Sequence, residues 1–293
     1  MKRSLTTSAK VAPSVALAHG LFCKGSSCHA GQRLEVSREI GGLLFRFSAS
    51  EQLTEKELEV LLALTALACK QKGSYQQTRQ WSGVDAQDRA RKMLAAKKIE
   101  VRTNYSALAR ELGRSTGGDT WTFISEALAR LFTVSAFIKP ADQTNWHRFK
   151  AGHLLDALSV DECSETVAVS LSPTIACAIL GGPSEFVSIS MDEVRALRAD
   201  RSGVARLLHF NLHGLPAGRT CRVEEDRLMA WVHGTSPAQG STRRMRAKSI
   251  REAMIRLGEL PSWSTSREGD NHFVKRPDRR RSSSDPFAVK EAS

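Results

Sequence analysis

The residues best equipped to do chemistry lie in Ser241–Leu260, STRRMRAKSIREAMIRLGEL, where Arg243, Arg244, Arg246, Lys248 and Arg251 fall within nine positions. They stand at the start of a segment with helical apolar spacing. A helix N-terminus is already electropositive and disfavours cations, so this placement requires an anionic partner. Ser241 and Thr242 add an N-cap and hydroxyls able to bind phosphate. On a helical projection Ala247, Ile250, Met254 and Leu257 form a buried stripe, while Arg244, Lys248 and Arg251 share a solvent-facing side. Arg243 and Arg246 fall in the first turn. Backbone N–H groups, hydroxyls and guanidinium groups gathered at one helix end suit phosphate anchoring and arginine readout of guanine edges. A solvated charged face is the plainer reading of any one basic helix. Here an acidic-start helix precedes it and a hairpin carrying Arg267, Lys275 and Arg276 follows, so that all the basic elements can face one duplex.

Other chemistries find no residues. The chain lacks a GxxxxGK[ST] phosphate loop, and its Gly pairs read as turns or helix stops. His209 and His213 have the i, i+4 spacing of a zinc pair, but Phe210 stands where a zinc hydrolase needs Glu; they are expected to be packing or surface histidines. Tyr75 and Tyr105 lack the paired histidines of a nicking enzyme. The acids of VEEDR are accounted for by a helix start. Cys23, Cys28 and His29 form a cluster with no second pair at zinc-finger spacing, so free thiols in a reducing cytoplasm are expected. The chain is therefore read as a non-enzyme with no metal and no cofactor.

The bulk properties agree. A chain of 293 residues has room for two domains, and a hydrophobic fraction of 41% is that of a globular protein. A formal net charge of +12 and a pI of about 9.7 suit a polyanion, nucleic acid first and an anionic membrane surface second. The longest apolar run, Val60–Cys69, falls far short of the roughly 20 residues a membrane span requires.

The elements that must position these residues follow from periodicity. RLEVSREIGGLLFRFSAS reads as two strands with Phe45 and Phe47 on one face. TEKELEVLLALTALACKQKG reads as a helix with Thr54 and Glu57 at capping-box spacing. Residues 73–98 read as a polar loop. NYSALARELG, capped by Asn104, is a short helix; DTWTFISEALARLF, with Trp121, Ile124, Leu128 and Leu131 inward, is a second. The strands TVSAFI, NWHRFK and TVAVSLS then complete a wing. After a connecting helix the plan repeats: ISMDEVRAL with Ser190 and Glu193 at capping-box spacing, GVARLLHFNLHG, RVEEDRLMAWVHG, the basic helix, and a hairpin turning at Gly269–Asn271. The fold class is α+β, with two tandem winged-helix domains (helix-turn-helix plus β-hairpin) and flexible tails at both ends. Residues 1–18 form the N-terminal tail, 19–172 the first winged-helix domain, 173–277 the second, DNA-binding one, and 278–293 a disordered basic tail. In the first domain Arg110, Arg114, Thr120, Thr122 and Arg130 are candidates for auxiliary DNA contact, with protein–protein contact an equal use of the scaffold.

ISMDEVRAL, ARLLH and above all STRRMRAKSIREA resemble the replication initiator protein (RepC) of IncQ-type plasmids, and LAHGLF and YSALARELG fit the same order. The resemblance spans about residues 17–277. It implies two winged-helix domains that bind repeated sequences (iterons) in double-stranded plasmid origin DNA. It further implies opening of adjacent AT-rich DNA and loading of a plasmid-encoded helicase and primase, in a bacterial cytoplasm and away from membranes. The recognition-helix role falls on Ser241–Arg251 and the wing role on Arg267–Arg276. A homodimer is left open, and a winged-helix transcriptional repressor or autoregulator is the alternative function.

Overall fold

The computed structural model describes residues 8–16, 18–25, 33–40, 42–71, 99–142, 151–161, 165–180, 186–199, 202–234 and 238–277. The first elements are β1 (Ser8–Val11), α1 (Pro13–Ala16), β2 (Phe22–Cys23), β3 (Leu34–Ile40), β4 (Leu43–Ala49), β5 (Leu53–Thr54) and α2 (Glu55–Gln71). There follow β6 (Ile99–Asn104), α3 (Tyr105–Glu111), α4 (Gly118–Phe132), β7 (Ser135–Pro140), β8 (Ala151–His153), β9 (Leu155–Asp161), β10 (Thr166–Leu171) and α5 (Pro173–Leu180). The rest are β11 (Val187–Ser190), α6 (Met191–Ala196), α7 (Val204–Leu212), β12 (Thr220–Glu224), α8 (Glu225–His233), α9 (Gly240–Gly258), β13 (Ser264–Glu268) and β14 (Asn271–Lys275).

The capping box forms at the start of α2: Glu57 accepts from the Thr54 backbone N–H at 2.6 Å and from its hydroxyl at 2.7 Å, while Thr54 Oγ1 accepts from Lys56 N at 3.3 Å. From Glu57 to Ala68 every residue of this helix is buried, so α2 is a central strut rather than a surface helix. It touches α3, α4 and β6 on one side and β1, α6 and α7 on the other. Ion pairs join the same halves. Glu59 of α2 binds Arg114 at 2.9 Å and Arg206 of α7 at 2.8 Å, and Glu111 of α3 binds Arg195 of α6 at 2.9 Å.

Around this strut one plan occurs twice. In the first half α2, β6, α3, α4, β9 and β10 follow in sequence, and the strands form a sheet in the order β6-β10-β9. In the second half α7, β12, α8, α9, β13 and β14 follow, and the sheet order is β12-β14-β13. In both, the third helix packs on the first and the second lies against both. Asn104 caps α3, its side chain accepting from Ala107 N at 2.7 Å, and Leu108, Ile124, Leu128 and Leu131 are buried as their spacing requires.

Several expectations change. Residues 8–16 and 18 do not form a tail: Ala9 and Val11 are buried, and β1 pairs antiparallel with β11, Ala9 opposite Ile189. A short alternating strand has no local signature strong enough to predict; its partner lies far along the chain and supplies the pairing. TVSAFI is not part of a wing. It forms β7, which pairs with β4 and β8 in a four-stranded sheet β3-β4-β7-β8, because Ala136 and Ile138 find the Phe45–Phe47 face there. The hairpin of the first half is β9–β10 instead. Strands β6, β9, β11 and β12 were not anticipated, being short and mixed in polarity. The expected loop at 73–98, the NWHRFK strand, Cys28, His29 and the tail at 278–293 lie outside the described residues. The buried apolar core is continuous across residues 172 and 173.

Ser190 caps α6, its Oγ accepting from Glu193 N at 3.4 Å, and the Glu193 carboxylate is turned inward. It bonds His209 Nε2 at 2.8 Å and accepts from Trp263 Nε1 at 3.3 Å, and His213 Nδ1 lies 2.7 Å from the His209 carbonyl. The i, i+4 histidines are therefore buried members of a hydrogen-bonded core network tying α6, α7 and the turn before β13 together.

Residues 18–25 pack on α8: His19 stacks on Trp231 with ring centroids 4.2 Å apart, and Lys24 N donates to Val232 O at 2.7 Å. Next to this contact His233 is buried, and burial first, then the charges of Arg246 and Lys24, lower its pKa to about 4. Its folded pKa lies below the ordinary 6.5, so its stabilising share is complete above that value and is lost as pH falls towards 4. Between pH 7 and 5 that share amounts to about 2 kcal/mol. Urea unfolding at both pH values should show this loss in the natural protein and not in His233→Asn; an unchanged pH dependence in the variant would contradict it.

Candidate nucleic-acid interface

α9 buries Ala247, Ile250, Ala253, Met254 and Leu257, adding one alanine to the expected stripe. Its N-cap is Gln239, without a side-chain cap bond, so Ser241 and Thr242 are not caps. They lie in the first turn, exposed, with their hydroxyls at the electropositive end. At the other end the hairpin lies close: Thr265 Oγ1 donates to Met254 O at 2.9 Å, and a Cβ at Gly258 would stand 2.6 Å from Thr265 Oγ1. A residue without a side chain is thus what lets β13 rest on the helix.

Two cations of α9 meet acids of α8. Arg251 donates through Nε and Nη2 to both oxygens of Glu225, each at 2.8 Å, a bidentate pair with a carboxylate only 7% exposed. His272 Nε2 of β14 lies 3.3 Å and Arg267 Nε of β13 3.7 Å from Glu225 Oε2. The Glu225 backbone N–H donates to Asp270 O at 2.8 Å. Burial by itself would raise the Glu225 pKa; the hydrogen bonds from Arg251 and His272 and the charges of Arg251 and Arg267 outweigh it and hold the carboxyl below its ordinary value. Burial lowers the pKa of His272 despite Glu225.

Nearer the tip the pairing loosens. Arg243 Nη2 donates to Asp226 Oδ1 at 2.8 Å, but the two side chains are 55% and 68% exposed, so water screens the pair. Lys248 lies 3.9 Å from Glu252, both exposed. Arg244 is exposed and Arg246 half-buried. Arg243, Arg244 and Arg251 border, with Glu225 and Asp270, an open groove of ≈ 540 Å³ between the helix tip and the hairpin turn. Gly269 makes that turn with a φ of 58°. A phosphate can displace a solvent-exposed carboxylate from Arg243 far more readily than a buried one from Arg251. The geometry thus separates the predicted cations: Arg243, Arg244 and Lys248 face solvent, while Arg251 and Arg267 hold the frame.

Two predicted residues are not brought to this face. Lys275 is at the far end of β14 from the turn, roughly 13 Å along the strand from Asn271 at about 3.3 Å per residue. It is on the sheet face opposite His272, since side chains alternate. Arg276 Nε donates to Leu215 O at 2.6 Å, which ties it to the base of the hairpin. Arg222 of β12 was not anticipated: it is exposed and donates to Asn271 Oδ1 at 2.8 Å beside the turn. In the sequence Glu225 and Asp226 are helix-start acids; their facing of Arg251 and Arg243 depends on packing that no local pattern encodes. Met245, exposed on the same helix, was also passed over.

The corresponding face of the first half differs. Arg114 is held by Glu59 and stacks on Phe123, 3.9 Å from the ring centroid. Arg130 binds Glu57 at 3.0 Å, and Thr120 is buried. Thr122 Oγ1 donates to Gly118 O, and Arg110 Nε to Ser106 O, both at 3.1 Å on the exposed surface. The exposed charges of α4 are Asp119 and Glu126, and those of the β9–β10 hairpin include Asp161 and Glu165. The start of α4 thus carries an exposed acid, Asp119, where the start of α9 carries exposed arginines.

The Replication protein C (RepC) family profile matches residues 2–278. No curated protein sequence matches. Among solved structures, domains 2–3 of RctB align with a TM-score of 0.55 at 10% identity, covering 92% of this chain and 98% of that one. A selenomethionine form of the same two RctB domains aligns at 0.53 and 13% identity, covering 90% and 97%. The Pi initiator protein, solved in complex with iteron DNA, aligns at 0.53 and 11% identity, covering 94% and 100%. At these identities the likeness is one of fold.

Removing the Glu225 carboxylate leaves Arg251, Arg267 and His272 without their common acceptor. Glu225→Ala should cost about 1–3 kcal/mol of stability, discounted from a fully buried pair because Arg251 is partly exposed. It should also loosen the hairpin against α9. Thermal unfolding together with amide exchange across residues 264–275 checks both, and unchanged protection of the hairpin would contradict this role.

Proposed function

The chain belongs to the Replication protein C family, and from that premise we propose that it initiates replication by binding double-stranded origin DNA through its second half. The family match over residues 2–278 is the observation that carries this reading. The repeated order of helix, strand, two helices and hairpin, with strand order first-third-second, is read as a pair of winged-helix units. In such a unit the third helix enters the major groove and the hairpin follows the backbone. That assigns α9 to the groove and β13–β14 to the flank. Arg243 and Lys248 anchor phosphates, the α9 N-terminus adds backbone N–H groups, and Arg244 is the candidate for a guanine edge.

Two proteins of the same fold bear on the finer reading. The Pi initiator was solved in complex with iteron DNA, and RctB supplies two domains of matching extent. By analogy this chain binds repeated origin sequences, and in doing so favours opening of adjacent AT-rich DNA for a separate helicase and primase. The chain itself is proposed to be non-catalytic and cytoplasmic, acting as monomer or dimer on DNA. No described helix is long and apolar enough to cross a membrane. The exposed Asp119 at the start of α4 disfavours phosphate there, which favours protein contact over auxiliary DNA contact.

Footprinting on DNA flanking its own gene should reveal protected repeats of uniform spacing beside an AT-rich tract. A plasmid carrying that tract should fail to replicate without this protein; normal replication would leave a repressor in place of an initiator. With roughly 6–10 phosphate contacts, affinity should fall about 10³–10⁵-fold between 50 and 200 mM salt, and a flat response would contradict the electrostatic argument. Arg244→Ala should cost about 1–3 kcal/mol on the specific site if the guanidinium reads guanine. An equal loss on all sequences would make it a phosphate anchor.

A further inference from the structure

The face of α9 diametrically opposite its buried stripe runs through Ser241, Arg244, Met245, Lys248, Glu252 and Ile255, at 100° per residue. Large apolar side chains exposed among the described residues are Phe132 (37%), Val160 (40%), Ile255 (65%) and Met245 (72%). A single exposed apolar residue needs no explanation. Met245 is different in its setting. It stands in the second turn of the helix, between Arg244 and Arg246, one turn before Lys248, on the outermost line of the surface most crowded with cations. A protein partner fits poorly there, because it would have to bury these cations with the methionine.

A DNA major groove offers such a side chain one apolar feature, the 5-methyl group of thymine. The guanidinium and ammonium groups around Met245 then stay with phosphates and polar base edges, and only the thioether is desolvated. An unbranched, polarizable side chain with three rotatable bonds can reach a methyl group without demanding one helix position. We infer that Met245 is a specificity-determining residue that reads the 5-methyl group of a thymine in the bound site. The inference rests on the proposed placement of α9 in the major groove.

The test uses the full chain and a duplex it selects from a random-sequence pool, with thymines replaced one at a time by deoxyuridine. This removes the methyl group and leaves the hydrogen-bonding edge intact. At one position uracil should weaken the natural protein roughly three- to fivefold, the worth of one buried methyl group. Met245→Ala should lose affinity for the thymine duplex by a similar factor and be indifferent to uracil at that position. Its thermal unfolding should be unchanged, since the side chain is exposed. The inference is overturned if no uracil position weakens the natural protein, or if Met245→Ala keeps the full penalty. Arg244→Ala separates the failures: if it weakens binding, the DNA face stands and only the methionine's role is lost. If Arg244→Ala binds undiminished, the placement of α9 falls, and this inference with it.

Discussion

The carboxylate of Glu225 stands where α8, α9 and the β13–β14 hairpin converge, and the geometry of the basic face depends on it. One largely buried anion takes a bidentate guanidinium from the helix, an imidazole from β14 and the approach of a second guanidinium from β13. Without it, three positively polarised groups would crowd the electropositive end of a helix. With it, Arg251 and Arg267 become struts that set the separation between helix and hairpin. The cations further out are left with weak exposed partners that a polyanion can displace.

The same plan built twice on one strut has produced two unlike surfaces. In the second half the third helix begins with arginines and is steadied by acids behind it. In the first half the third helix begins with Asp119, and the arginines nearby are spent on the core: Arg114 on Glu59 and Phe123, Arg130 on Glu57. Shared topology therefore does not imply shared use.

The halves are not independent. α2 is buried on all sides, and Glu59 binds arginines from both directions. β1, from the beginning of the chain, completes a ladder with β11 near its middle, while residues 18–25 lean on α8. The two halves are in this way mechanically continuous.

Much was legible from the sequence because it is local. The capping box at Thr54 and Glu57, the Asn104 cap, the inward Ile124–Leu128–Leu131 stripe, the buried side of α9 and the hairpin turn at Gly269 each depend on residues within a turn or two of one another. So does the concentration of charge at Arg243–Arg251. Polar patterning alone could not reveal that Glu225 belongs to Arg251, that Arg276 is tied to the Leu215 carbonyl, or that β1 is a strand at all. These are meetings of groups far apart in the chain, chosen by how helices pack and sheets close. Composition and periodicity determined which surfaces would carry charge and which would be buried; tertiary packing decided which charges are held and which remain for a partner, because only packing brings a buried carboxylate within 3 Å of one arginine and leaves the next in water.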